Sequence, residues 1–98
     1  MSTTQPAREN VPRDPSHYSP SIHAGQQRKH REIPWDAVAA TLREGEVRPS
    51  AKPSCRVFVA RPTWTEGPVR VIANPECGEI VTIAWERNGD APRVTPES

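Results

Sequence analysis

The chain has 98 residues, twelve of them proline and five glycine, and thirteen basic against twelve acidic side chains give a net charge of +1. That balance excludes a histone-like polycation and an acidic tail protein. No apolar run approaches the ~20 residues of a membrane span and no charged-then-apolar leader opens the chain, so a soluble, cytoplasmic protein without membrane contact is expected.

Residues 1–16 hold three prolines and almost nothing apolar, and residues 88–98 hold two more. Both read as disordered tails, because they lack the apolar area to offset ordering entropy. Between them, residues 17–87 read as one α+β domain, near the lower size limit for folding without staples. Residues 19–31 (SPSIHAGQQRKHR) predict a helix with Ser19 as N-cap and Pro20 at its first position. Its inner stripe is read as Ile22, Gly25, Gln26 and Lys29, followed by Ile33, with Gly25 serving close approach to another backbone. A second helix is predicted over 34–43, where Trp35, Val38, Ala39 and Leu42 form an amphipathic stripe and Gly45 supplies the stop.

Beyond Gly45 the pattern becomes that of strands. Residues 55–60 (CRVFVA), 68–73 (PVRVIA) and 79–85 (EIVTIAW) are short and β-branched, with an edge piece near 46–48 and hairpin loops at 61–67 and 74–78. Paired as consecutive hairpins, they put Cys55, Val57, Val59, Val69, Val71, Val81, Ile83 and Trp85 on one apolar face. Only the helices can cover it. The predicted fold is therefore α+β, two N-terminal helices packed on one face of a three- to four-stranded antiparallel sheet. The opposite face collects Arg56, Phe58, Ala60, Arg70, Ile72, Ile80, Thr82 and Ala84, with Arg70 between Phe58 and Thr82.

Cys55 and Cys77 lack the spacing of a zinc site and read as two buried, inert thiols; no metal and no cofactor are predicted. His17, His23 and His30 fall within fourteen residues together with Arg28, Lys29 and Arg31, and residues 17–32 carry +2. His23, Gln27 and His30 share a helical stripe flanked by Arg31. This pattern suits a proton-transfer histidine beside phosphate-holding cations, and equally a solvated helix with incidental histidines. Arg56 and Arg70 beside Thr82 suit an oxyanion clamp, or the solvated face of an open sheet. Trp64 in the long loop and Trp85 at the end of the last strand suit core aromatics, or, for Trp64 if exposed, a ring that stacks on a base, while Trp35 reads as core. No nucleotide-binding glycine motif, zinc-protease motif or nucleophile elbow is present, so catalysis, if any, is expected to be metal-independent.

Ser21, His23, Ala24, Arg31 and Ile33, then LREGEV at 42–47, a strand with Arg56, PVRVIA and EIVTIAW follow one another in an order that resembles a family known as domain of unknown function 4258. The resemblance covers residues 19–86. The chain departs from it at Gln27, where the family often has arginine, and at Glu32, where glycine is usual. That family is similar in its arrangement to the barnase–colicin–RelE group of metal-independent ribonucleases, many of them toxins. The resemblance implies a small RNA-cleaving or RNA-binding domain of a toxin–antitoxin or conflict system, with RNA and an antitoxin-like protein as partners.

Two functions stay open. A metal-independent endoribonuclease would use His23 as base or acid, Arg31, Arg56 and Arg70 to hold phosphate, and Thr82 to orient a phosphate or water. It requires the first helix to reach the sheet edge. The alternative is a non-catalytic module that binds protein or nucleic acid through the polar sheet face and Trp64.

Overall fold

The computed structural model describes residues 11–87 and 91–95. The tail expectations for 1–10, 88–90 and 96–98 lie outside the described residues. A 3₁₀ turn, Pro15–His17, precedes strand β1 (Ser19–Pro20), helices α1 (Ile22–His30) and α2 (Trp35–Glu44), and strands β2 (Glu46–Pro49), β3 (Arg56–Pro62), β4 (Val69–Asn74), β5 (Glu79–Trp85) and β6 (Arg93–Val94). The class is α+β with two helices, as expected. The sheet is larger than expected and mixed: its order is β1-β5-β4-β3-β2, antiparallel from β5 to β2, with β1 parallel to β5 and β6 parallel to the end of β3.

The first difference lies at Ser19. Instead of capping a helix, Ser19–Pro20 runs beside β5, with Ser19 N–H donating to the Gly78 carbonyl and Ser21 N–H to the Ile80 carbonyl. Pro20 falls between these donors, so its missing N–H costs the ladder nothing. Ser21 then becomes the N-cap, its hydroxyl accepting from Ala24 N–H at 3.1 Å. The helix that follows is rotated from the expected orientation. Ile22 is 83% exposed and Ala24 is fully buried. The inner stripe is Ala24, Gln27 and Arg31, and α1 packs against β5 rather than across the sheet. α2 lies over β3 and β4. Val38 and Leu42 are buried as expected, together with Ala37, Ala40 and Thr41, whereas Trp35 is 39% exposed.

The second difference is one of register. β3 pairs with β4 as Phe58↔Val71 and Val59↔Arg70, one residue from the expected alignment, and a one-residue slip exchanges the two faces of a strand. Phe58 therefore enters the core with Val69, Val71, Ala73, Ile80 and Ile83, while Val57 is only half-buried. Burying Phe58 contributes roughly 1.5–3 kcal/mol. A bulge between the Ile72↔Thr82 and Ala73↔Ile80 pairs turns Ile80 inward, though strict alternation puts it outside. Cys55 is buried but Cys77 is exposed, and both are free thiols.

Two segments expected in the tails are docked. Arg13 Nε donates to the Leu42 carbonyl at 2.9 Å and its Nη2 donates to the Gly45 carbonyl, satisfying orphan acceptors at the C-terminus of α2. Its guanidinium sits 5.6 Å from the centre of the Phe58 ring. Tyr18 meets the same ring edge-on and donates its hydroxyl to Pro12; burial raises its ionisation above the ordinary tyrosine range, opposed by the charge of Arg13. At the other end Val94, 3% exposed, packs with Ala40 and Ala60.

Close backbone approach is served by Gly45, where an added Cβ would meet the Thr41 carbonyl oxygen and stand 2.8 Å from the Val59 carbonyl oxygen. At Gly25 an added Cβ meets nothing within 4 Å, so the role expected for that glycine falls away. Gly25→Ala is accordingly expected to stabilise the protein by about 0.5–1 kcal/mol, seen as a higher melting temperature. Arg13→Ala is expected to destabilise it by about 1.5–3 kcal/mol, the range for hydrogen bonds from a charged donor. An unchanged urea midpoint in Arg13→Ala would show that the strap adds nothing.

Candidate functional site

His23, Arg28, Lys29 and His30 lie along α1 with Arg31 as its C-cap, and the nine residues of the helix (IHAGQQRKH) include no carboxylate. The Ile83 N–H donates to Gln27 Oε1 at 3.1 Å, and Gln27 Nε2 lies 3.0 Å from His23 Nε2. Because the Gln27 oxygen is taken by a backbone donor, its amide nitrogen faces the histidine and donates to it. One turn later Arg31 Nη1 donates to the Ile83 carbonyl at 2.8 Å. Sequence patterning put His23 and Arg31 on one site, and both do line a shallow groove of about 310 Å³ together with Gln26, Gln27 and His30.

α1 ends in a paired-carbonyl cap. Ile33 N–H donates to the Arg28 carbonyl and Glu32 N–H to the Lys29 carbonyl, both at 3.1 Å, with Ile33 fully buried beneath. This cap needs a left-handed residue at position 32, where glycine is the default. Here Glu32 takes it, with φ 56°, the one non-glycine residue of positive φ among the described residues.

The turn that follows gathers all three tryptophans. Trp85 donates its indole N–H to the Arg31 carbonyl and Trp64 donates its own to Asp36 Oδ1, each at 3.1 Å. Trp35 lies under Arg28, 6.0 Å from guanidinium carbon to ring centre. A second groove of about 430 Å³ opens here, lined by His30, Arg31, Glu32, Pro34, Trp64, Thr65, Glu66 and Trp85. It meets the first at His30 and Arg31. The result is a continuous surface, basic along α1 and aromatic beyond its end.

The remaining residues singled out from the sequence lie elsewhere. Arg56 shares the face of Phe58, and Arg70 pairs with Val59 and Ala84 on the opposite face, so the two arginines cannot clamp one anion. Arg56 Nη1 donates to the Pro53 and Cys55 carbonyls. Arg70 Nε is buried and faces Glu86 at 3.7 Å, and Arg48 spans from Glu46 at 2.9 Å to Glu86 at 4.0 Å. Thr82 is half-buried on that open face, level with Ile72. His17 leaves the other histidines for a cleft of about 570 Å³ that also contains Arg56 and Glu76, where its Nε2 donates to the Pro75 carbonyl at 2.6 Å. The histidine and arginine of that cleft are tied to backbone carbonyls.

Sequence patterning missed Trp85 and Glu32 as lining residues of the groove and the exposure of Trp35 beside it. The one available signal was the glutamate at a helix-ending position that favours glycine. Among the described residues no three of His, Cys, Asp and Glu gather as a metal site, and no helix is long and apolar enough to cross a membrane. Glu32→Gly is expected to stabilise the fold by about 0.5–1 kcal/mol, the left-handed cost of an L-residue less the added freedom of an unfolded glycine. A lower melting temperature in that variant would mean that the Glu32 side chain holds the turn. Comparison with protein-family models, with curated proteins and with solved structures gives no match for this chain, so its functional reading rests on its residues and their geometry.

Proposed function

We propose that this protein is a single-stranded RNA-binding module whose contact surface runs from α1 to the groove between Trp64 and Trp85. One observation carries the reading: Trp64 and Trp85 line a groove at the end of a helix bearing Arg28, Lys29, His30 and Arg31, with Trp35 under Arg28. The indole N–H groups of Trp64 and Trp85 are spent inside the protein, so their ring faces are what a ligand meets. Bases stack on such faces without regard to sequence, while a basic groove follows the phosphates. The order of motifs resembles domain of unknown function 4258, whose arrangement is similar to that of metal-independent ribonucleases, and that resemblance implies the same ligand.

Cleavage is the second reading, favoured by the groove that His23, His30 and Arg31 share. Against it, the two histidines are seven residues apart on one helix, about 10 Å along its axis, a poor span for a base and an acid acting on one phosphodiester. The lone pair of His23 Nε2 is also engaged by Gln27.

The test is fluorescence anisotropy with a labelled single-stranded RNA octamer at low salt. Trp64→Ala is expected to weaken binding roughly 5- to 100-fold, the usual worth of one stacked base. Lys29→Ala, which removes one exposed cation, should flatten the dependence of affinity on salt. Running the same mixtures on a denaturing gel reads cleavage directly. An octamer that stays free at high protein concentration and low salt sinks the proposal.

A further inference from the structure

The three histidines differ in what holds their rings. His17 Nε2 is bonded to the Pro75 carbonyl, and His23 Nε2 lies 3.0 Å from the Gln27 amide nitrogen. His30 is exposed, and among the described residues its ring makes no hydrogen bond or ion pair. It is also the histidine that lines both grooves, at the place where they meet. An RNA strand that follows the surface from α1 to the tryptophans passes it.

The charges around His30 come from the helix, the turn after it and one loop. Lys29 and Arg31 flank it in sequence, and His23 shares the groove along α1. The turn brings Glu32, and the loop that carries Trp64 brings Glu66; β5 adds the indole of Trp85 and no charge to that lining. Arg31 is committed through Nη1 to the Ile83 carbonyl. The lining of the tryptophan groove thus sets one arginine against two carboxylates, a net −1 while His30 is neutral and zero once it is protonated. A negative lining repels phosphate, whereas a protonated imidazole donates to it from either ring nitrogen. Histidine is the side chain that makes this change between about pH 5 and 8.

We infer that His30 is a proton-controlled switch on RNA binding. The surface takes the phosphates of single-stranded RNA more tightly as pH falls through the histidine range, and releases them as pH rises through it. The direction follows from the charge: a ligand that contacts only the protonated ring in a favourable way draws the protein toward that form. The inference rests on the RNA-binding reading above and adds to it the residue that regulates the surface.

The experiment follows a labelled oligouridine octamer without a terminal phosphate, whose bases carry no group that titrates in this range. Its anisotropy is measured on the full chain at about pH 5.5 and about pH 7.5, either side of the histidine range. Circular dichroism at both values checks that the fold is the same. Affinity is expected to be roughly 1.5- to 5-fold higher at the lower pH, the worth of one exposed ion pair. The dependence of log affinity on log salt should steepen there by about 0.7, one further phosphate of a single strand. His30→Gln is expected to remove both differences, and His30→Lys, a fixed cation, to bind equally at both pH values. His17→Gln and His23→Gln should keep the differences. Equal or weaker binding of the unaltered chain at the lower pH overturns the inference and leaves RNA binding standing. A pH difference that survives in His30→Gln or in His30→Lys also overturns it. If the octamer stays free at both pH values, the RNA-binding reading itself fails, and the inference with it.

Discussion

The outer edge of β5 is the constraint on which the rest of the arrangement depends. A sheet edge presents unpaired N–H and C=O groups that must be satisfied or covered. Here the first half of the edge is satisfied by main chain, through Ser19 and Ser21, and the second half by the side chains of Gln27 and Arg31 at Ile83. The bulge in β5 makes this division possible. It sets Ile80 and Ile83, three residues apart, as the outward-bonding positions. That spacing matches a chain that leaves the edge as a strand and returns over it as a helix. Once Gln27 and Arg31 are bound to Ile83, the rotation of α1 is fixed, and so is the exposure of His23, Lys29 and His30.

Much of the framework was legible in the sequence, and the reasons for the rest are specific. α2 came through because its apolar stripe is deep and its ends carry strong signals, Asp36 in the first turn and Gly45 after the last. The core strands came through because their β-branched runs are bounded by turn residues. The phase of β3 did not. Val57 and Val59 compete with Phe58 and Ala60, so both faces of the strand are apolar and alternation cannot choose between them. The loop decides: residues 61–68 separate the last paired residues, an even number, where a loop centred on Trp64 implies an odd one. α1 failed for a different reason. Its contact with β5 is polar, side chain to backbone, and a search for an apolar stripe settles on Ile22, which is exposed. The strap of Arg13 is beyond sequence patterning altogether, because it caps a helix some thirty residues away.

Charge is distributed more unevenly than the net value of +1 suggests. On the open face of the sheet, Arg48 and Arg70 lie against Glu46 and Glu86. These partly buried charges neutralise one another. That face, the natural place to look for an anion site in an antiparallel sheet, is therefore a poor one for phosphate. The cations of α1 meet no carboxylate on their own helix, and Arg28 and Arg31 use carbonyls and an indole ring as partners. A near-neutral chain thus carries a locally basic surface, and global charge says little about whether it meets RNA.

The aromatic end of that surface is built from the requirements of the helices themselves. The last carbonyls of a helix lack internal partners, and Trp85 satisfies the one at Arg31. The first turn of a helix favours a carboxylate, and Asp36, placed there for α2, accepts from Trp64. Each bond orients an indole by its polar edge and turns its apolar faces away from the bonded groups. The same two hydrogen bonds that dress the end of one helix and the start of the next therefore tie two rings to the two ends of the connecting turn. Glu32 belongs to that turn and borders the groove, at the left-handed position that the cap of α1 demands. The junction of the two helices is thus where Trp35 opens α2, Trp64 bonds to Asp36 and Trp85 bonds to Arg31.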